Sequence, residues 1–361
     1  RRWRGPPAHA RTPTPRARGR ALVALATAVA ALAGCSSSAS PVSEPAAAPP
    51  AATVSIALSW TPNTDYTGLY VALEKGYYAA QGISVKVVPY ASTAPETLVS
   101  HGVADFAYSY QAGVAYARSS GEDIVAVFAP DSKGTYGIGV AANRADITRP
   151  ADLDGKTYAG FGTPDELPEL RYVIRHDGGT GVFKDVTLNT SAYDAVYSGA
   201  ADFTIPVVTW DAVQARLVGK PMKTFSFTRY GFPDQYSVLI ASSHAFLAAH
   251  PALAKRFLYA TWQGYSYAAG HPRQAAALVL AANPLTLPNP ALVYDSEEML
   301  ASGGYLRNAA GQVGVQSSAV WSAYGGFLFA NHLLTNAAGK VVTTPPDWST
   351  YYTNAYLPAH P

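Results

Sequence analysis

The chain has 361 residues, nearly half of them apolar and only 14% charged, so it is long enough for two packed domains and too apolar to be disordered. Residues 1–35 hold seven arginines and no acid; past them, nineteen basic residues face twenty-four acidic ones, a balance of −5. A mildly acidic body offers no basic patch for a phosphate backbone, which excludes nucleic acid as a partner.

The first segment reads as an export signal. Residues 1–20 are basic, and "ALVALATAVAAL" (Ala21–Leu32) is an apolar run too short for a permanent membrane span. "LAGC" (Leu32–Cys35) follows, and Cys35 is the only cysteine. The pattern resembles the lipobox of bacterial lipoproteins, in which the cysteine becomes the acylated N-terminus. An ordinary signal peptide with a chance cysteine is the other reading. Residues 1–35 are thus expected to be a lipoprotein signal peptide, with Cys35 as the lipidation site. "SSSASPVSEPAAAPPAA" (36–52) is too poor in large apolar residues to pack and reads as a flexible tether. The expected location is the outer face of the cytoplasmic membrane, held to the lipid bilayer through Cys35.

After the tether, short apolar strands alternate with helical patterns, the sign of an α/β fold with mostly parallel sheets. Strands are expected at "TVSIALS" (53–59), "ISVKVVPY" (83–90), "ADFAYSY" (104–110) and "DIVAVFAP" (123–130). Helices are expected at "TGLYVALEKGYYAAQG", "APETLVSHG" and "QAGVAYARSSG". Two matching segments then stand about 100 residues apart, "TYGIGVAANRADI" and "QYSVLIASSHAFL". Between them, "PADLDGKTYAGFGT" starts a fresh β–α series. The chain is expected to leave one lobe, build a second and return, with two connections forming a hinge. The expected lobes are 53–142 with 238–361, and 143–237. One continuous doubly wound sheet is the competing arrangement. From His244 onward the pattern is mostly helical.

Several stretches together are similar to a known family. "WTPNTDYTGLYVALEKGYY" (60–78), "GISVKVV", "HGVADFA" and "LDGKTYAGFGTPDE" resemble the thiamine-pyrimidine (NMT1/THI5-like) family of periplasmic binding proteins. The resemblance spans about residues 54–333. It implies a two-lobed, type II binding-protein fold and delivery of a solute to an ABC permease. The opening motif is shared with members that bind thiamine-precursor pyrimidines and, in relatives, riboflavin. One branch is a pyridoxal-dependent pyrimidine synthase. Its cofactor lysine corresponds to Val103 here, which cannot form a Schiff base, and its cysteine-rich iron site has no counterpart. The resemblance therefore implies a binder rather than an enzyme, with no cofactor and no metal.

A binder of this kind must hold a flat ring by stacking and a few directed hydrogen bonds in a crevice between lobes. Trp60 and Tyr66 offer aromatic faces, Asn63 a donor and an acceptor, and Asp65 an acceptor for amino groups. Many relatives carry Asn and His where Asp65 and Tyr66 stand. The same "TPNTD" also suits a helix cap. Tyr90 and Tyr108 end the second and third strands; Tyr108 and Tyr110 point to opposite faces of a regular strand, so one of them faces the crevice. In the second lobe, Gly162 and Thr163 precede a helix, where backbone N–H groups can point at a ligand; a plain strand-to-helix turn needs the same glycines. Trp210 and Asp211 stand where relatives often carry a Trp-Glu pair. Asp211 reads either as the carboxylate that recognises ring N–H groups or as an acid favoured by a helix N-terminus.

The expected ligand is a thiamine-precursor aminopyrimidine, with riboflavin or another aromatic heterocycle as the alternative. Sulfonate or nitrate fits less well, because the candidate wall holds carboxylates and no clear cation. The partners expected are this small heterocycle and an ABC permease, and the protein is expected to be a monomer.

Overall fold

A computed structural model describes residues 50–287 and 289–359. The leader, Cys35 and nearly all of the expected tether lie outside them. The described chain opens with β1 (Ala52–Ala57), whose first residue is the last one assigned to the tether. A short turn leads into α1 (Thr67–Glu74) and α2 (Tyr77–Ala80). The sequence pattern runs through both helices as one. Gly76 separates them with φ +71°, a left-handed turn that ends α1.

β2 (Ile83–Val88) pairs in parallel with β1, Ala52 opposite Ile83 and Ala57 opposite Val88. Next come α3 (Pro95–Ser100), β3 (Phe106–Ser109), α4 (Gln111–Ser119) and β4 (Val125–Phe128). All four residues of β3 and all four of β4 are buried, as central strands covered on both faces require.

The chain then enters the second lobe. It contains β5 (Gly137–Ala141), β6 (Thr157–Gly160), α5 (Glu166–His176) and β7 (Lys184–Thr187). α6 (Ala192–Ser198), β8 (Phe203–Thr204), α7 (Asp211–Leu217) and β9 (Met222–Ser226) complete it. The return strand is β10 (Leu239–Ser242).

The strands form two five-stranded sheets, β2-β1-β3-β10-β4 and β7-β6-β8-β5-β9. In each, one strand runs against both its neighbours: β10 in the first and β5 in the second. Each reversed strand is the first that the chain lays down after crossing from the other lobe. The first crossing therefore lies before β5, so residues 137–142 belong to the second lobe and not, as expected, to the first. The two matching sequence segments are these equivalent strands, one in each sheet. The crossing segments are tied together: Gly134 N–H donates to Asp234 Oδ1 and Thr135 N–H to Ser237 Oγ, both at 2.8 Å.

The C-terminal part holds α8 (His244–Ala249), α9 (Pro251–Gly270), α10 (Pro272–Ala282), α11 (Pro290–Ser302) and α12 (Ser318–Ala330). The long helical pattern from 251 to 283 is broken at Pro272, which lacks an N–H and forces His271 out of the helical region (φ −140°, ψ 58°). α9 and α11 join the core of the first lobe through Phe257, Leu258, Val293 and Leu300. α12 reaches further than expected. Trp321 and Tyr324 share a core with Tyr158 and Phe203 of the second lobe, while Tyr352 bridges to Ala126 of β4. Among the described residues, no helix is long and apolar enough to cross a membrane.

Candidate functional site

The end of β1 builds the first-lobe wall. Asn63 caps the turn after it, its Oδ1 accepting the N–H of Asp65 at 2.7 Å. Asn63 thus acts as a cap, one of the two roles open to it, and is itself buried. The turn holds Asp65 from below as well. Tyr265 on α9 donates its hydroxyl to the Asp65 carbonyl at 2.6 Å, and Tyr108 in turn lies 2.9 Å from the Tyr265 hydroxyl. The Asp65 side chain is half-buried, and its Oδ1 has no hydrogen-bond partner.

The aromatic candidates separate into two groups. Trp60 is half-buried, and its ring lies 5.1 Å from that of Tyr90, which is exposed; the pair forms an accessible aromatic lip. Tyr66 and Tyr108 pack against each other at 4.5 Å and are 1% and 0% exposed, inside the first-lobe core. They offer no face to a ligand and instead support the wall. The reason is direction. Tyr66 folds back so that its hydroxyl lies 3.1 Å from Ser59 Oγ, and Tyr108 points under α9. Its strand neighbour Tyr110 is half-buried and packs towards the other core.

In the second lobe, the Gly162–Thr163 loop does not present its N–H groups to a ligand. Glu166, the first residue of α5, accepts them itself. Its carboxylate takes N–H groups from Phe161 (3.0 Å), Gly162 (3.3 Å) and Thr163 (3.1 Å), plus the hydroxyls of Thr163 and Tyr158. A Cβ at Gly160 would run into this carboxylate, so that glycine makes room for it. The loop is an anion nest already filled by the protein's own acid.

Asp211 opens α7, the position the helix dipole favours. Its Oδ2 accepts the Tyr193 hydroxyl at 2.6 Å and the Val207 N–H at 2.9 Å. Burial still pushes its pKa up to about 6. Burial and the nearby charge of Asp211 push Asp65 to about 7. The two carboxyls belong to opposite lobes, and the charge of Asp211 is felt at Asp65. Beside them, half-buried Trp210 packs against the first-lobe core, and Arg216 of α7 forms a 2.6 Å ion pair with Asp295 of α11. An interlobe cavity of about 410 Å3 lies next to this junction, lined by Gly134 and Tyr136 of the crossing, Ala212 and Arg216 of α7, and Met299 and Tyr305. Its size suits a small heterocycle. A wider groove of about 680 Å3 lies by Arg171, Arg175 and His176. Neither Asp65 nor Asp211 lines either space, and the groove's basic lining has the wrong polarity for an amino-bearing ring.

Two further acids, both buried, were not foreseen. Asp131, just after β4, is 1% exposed, and neither carboxyl oxygen has a partner. Glu297 on α11 is fully buried; its Oε2 lies 2.6 Å from Thr67 Oγ1, while Oε1 has no partner. Burial pushes Glu297 up to about 8, with Asp65 adding to the rise, and raises Asp131 well above the usual carboxylate range. A sequence signal for Glu297 existed: it sits with Val293, Ser296 and Leu300 on the buried face of α11, whereas Glu298 pairs with Arg273 outside. A second acid pair, Asp165 and Glu169, differs in being partnered, by Tyr116 at 3.2 Å and Tyr324 at 2.8 Å. Among the described residues, no group of three or more His, Cys, Asp or Glu is placed to hold a metal ion. Val103 is exposed, at the end of α3.

The NMT1/THI5-like family profile matches residues 63–275, more than half the chain. The chain belongs to the NMT1/THI5-like family. It is similar to the formylaminopyrimidine-binding protein of Halalkalibacterium halodurans, 29% identical over 233 residues, which cover 63% of this chain and 70% of that protein. It is also similar to the riboflavin-binding protein RibY of Chloroflexus aurantiacus, 28% identical over 261 residues (67% and 70%). Among solved structures, the periplasmic aliphatic sulphonate-binding protein SsuA of Escherichia coli superposes with a TM-score of 0.61 at 15% identity, covering 83% of this chain and 91% of that one. That likeness shows the two-lobed binding-protein fold. Within this NMT1/THI5-like chain the backbone nest of the 161–163 loop is occupied by Glu166, which leaves no open N–H cluster there for an added anion.

Proposed function

We propose that this chain is the solute-capturing component of an ABC importer and that its solute is a thiamine-precursor aminopyrimidine. The observation that carries this reading is the pair of raised carboxyls Asp65 and Asp211, one on each lobe, with the accessible Trp60–Tyr90 lip on the first. An aminopyrimidine presents an exocyclic amine and a basic ring nitrogen on one edge. A carboxylate accepts from the amine, and from the ring nitrogen once that nitrogen is protonated, and two aromatic side chains give the π-face a place to rest. The name of the 29% identical relative supports the same class. Riboflavin is the second reading, favoured by the 28% identical relative. Its ring edge offers mainly carbonyl acceptors, which a wall of carboxylates matches less well.

Capture closes the lobes about the 134–135 and 234–237 crossings. Closure follows when the ligand binds the closed state more tightly than the open one. The closed form is then the one recognised by a membrane permease. Cys35, acylated after export, holds the protein beside that permease, and it works as a monomer.

The test is what the protein binds. Residues from Ser36 onward, purified without added solute, are analysed by native mass spectrometry and then titrated with an aminopyrimidine and with riboflavin. Binding of the aminopyrimidine, weakened at least about tenfold by Asp65→Asn or Asp211→Asn, supports the reading. Binding of riboflavin alone overturns it in favour of the second.

A further inference from the structure

We propose that the outer face of α9 rests on the membrane surface, with Lys255 and Arg256 among anionic lipid headgroups and Tyr259 and Trp262 at headgroup level. This goes beyond solute capture and takes from that reading only the attachment through Cys35.

Charge sets this face apart. From residue 235 to residue 294 the chain holds no Asp or Glu, although the body beyond the leader is acidic overall. All of α8, α9 and α10 falls inside that stretch. Glu74 is the one acid on α1, α2 or α9. None of the ion pairs among the described residues includes Lys75, Lys255 or Arg256, whereas Arg273 of α10 is paired with Glu298. Three cations therefore stand without a countercharge from the fold.

Helical spacing gathers them with aromatic rings. α9 buries Phe257, Thr261, Gly264 and Tyr265. At about 3.6 residues per turn, the opposite arc carries Lys255, Arg256, Tyr259, Trp262 and Tyr267. Lys255 and Tyr259 are exposed, and the other three are half-buried. The rings of Tyr259 and Trp262 stack at 5.7 Å, and Lys75, just past α1, lies 4.1 Å from the centre of the Tyr267 ring. The Trp262 ring N–H has no acceptor within the protein, so turning that ring outwards breaks no hydrogen bond.

The chain arrives from its anchor at this same face. Arg256 Nη1 donates to the carbonyl of Pro50, the first described residue, at 3.0 Å, and to that of Gln81 at 2.6 Å. These carbonyls orient the guanidinium without neutralising it. Residues 36–49 bridge Cys35 to Pro50 and span at most about 50 Å when fully drawn out. An acylated Cys35 thus keeps α9 within reach of lipid. Tyrosine and tryptophan settle at the membrane interface because each joins an apolar body to a hydrogen-bonding tip. Each cation close to an anionic surface favours contact by about fivefold. Acyl chains hold the protein to the membrane but leave its orientation open, and this face fixes it. α9 belongs to the core of the first lobe, so the second lobe stays able to close.

The sole cysteine allows the test. Residues 35–361 are coupled through Cys35 to a maleimide lipid in nanodiscs, with or without phosphatidylglycerol. Hydroxyl-radical footprinting then reads each aromatic side chain by mass spectrometry. Oxidation of Tyr259 and Trp262 should fall about threefold or more when phosphatidylglycerol is present, and high salt should restore it. Oxidation of Trp60 and Tyr90 should not change. Lys75 and Lys255 are exposed, so a protein carrying Lys75→Glu and Lys255→Glu should fold, which its melting temperature checks, and it should lose the protection. Equal oxidation of Tyr259 and Trp262 on the two membranes overturns the proposal. So does protection that survives the double substitution. Protection that grows with protein concentration in the absence of lipid also overturns it, since a second copy then covers the face. Solute titration is run separately on the unattached protein, so either reading can fail without the other.

Discussion

Tyr265 donates its hydroxyl to the backbone carbonyl of Asp65 at 2.6 Å, across 200 residues of chain. Its neighbour Gly264 makes the contact possible. A Cβ at Gly264 would overlap the carbonyl of Gly68, and one at Gly68 would overlap the Tyr265 ring. Only glycine at both positions lets α1 and α9 meet backbone to backbone. That approach slides Tyr265 under the turn carrying Asp65. Tyr265→Phe keeps the ring and removes the bond, so it should cost about 1 kcal/mol of stability and loosen Asp65. Ligand affinity should fall with it. Gly264→Ala forces the helices apart and should cost about 3 kcal/mol. Urea melts and calorimetric titration check both. A Gly264→Ala protein as stable as wild type would contradict the packing argument.

Glu166 plays the part of a ligand for its own loop. It is buried and satisfies three backbone N–H groups and two hydroxyls. Glu166→Ala leaves these donors facing an empty nest and should destabilise the protein by about 2–3 kcal/mol. Sulfate should recover part of the loss by entering the nest, while leaving wild type unchanged. Thermal melts with and without sulfate read both effects.

The raised carboxyls give stability a definite pH dependence. Glu297 titrates at about 8, Asp65 at about 7 and Asp211 at about 6 in the folded protein. In the unfolded chain such groups titrate near about 4. Between those values the folded state binds more protons than the unfolded state. Its stability is therefore full below about pH 4 and is lost as pH rises through about 6 to 8. Surface acids work in the opposite sense. Asp123, Asp154, Asp177 and Asp202 have lowered pKa values from hydrogen bonds and partner charges, and their contribution fades as pH falls below the ordinary range. The ligand-free protein should thus melt highest in mild acid and lose melting temperature from about pH 5 to 8. Glu297→Gln should flatten that slope. A melting temperature that rises over this interval would contradict the buried-acid assignment.

The strand-and-helix alternation was legible because each β–α unit carries its own periodicity and glycine stop. The first lobe boundary was misplaced because β5 and β10 look alike in sequence: both are reversed strands entered from the other lobe. Only hydrogen-bond partners tell them apart. The places of Trp60, Tyr90, Asp65 and Asp211 after strands or at helix starts were readable. The burial of Tyr66 and Tyr108 was not, since an aromatic ring near a strand end can turn inwards, and these do. The capping of Glu166 was visible as Thr-x-x-Glu spacing from Thr163, a pattern that predicts an occupied loop rather than an open one. Asp131 left no local mark. Its burial comes from packing that the strand pattern alone does not show.

Arg216 and Asp295 fasten the second lobe to the first at 2.6 Å, yet the Arg216 side chain is largely, and that of Asp295 partly, open to solvent. Such a pair contributes about 0.2–1 kcal/mol, so Arg216→Ala should hardly change the melting temperature. Its effect should fall on closure. The pair forms only when α7 and α11 meet, so its whole contribution favours the closed state. Removing it should shift the ligand-free population towards the open state by about two- to fivefold. Small-angle scattering should then show a larger radius of gyration before ligand and no difference after saturation. Asp295→Ala should behave alike, and the double substitution should add little, since either change already breaks the pair. High salt should mimic the substitutions in wild type and have less effect on the variants. If scattering shows the same ligand-free radius for all four proteins, the pair is a surface contact that follows closure without biasing it.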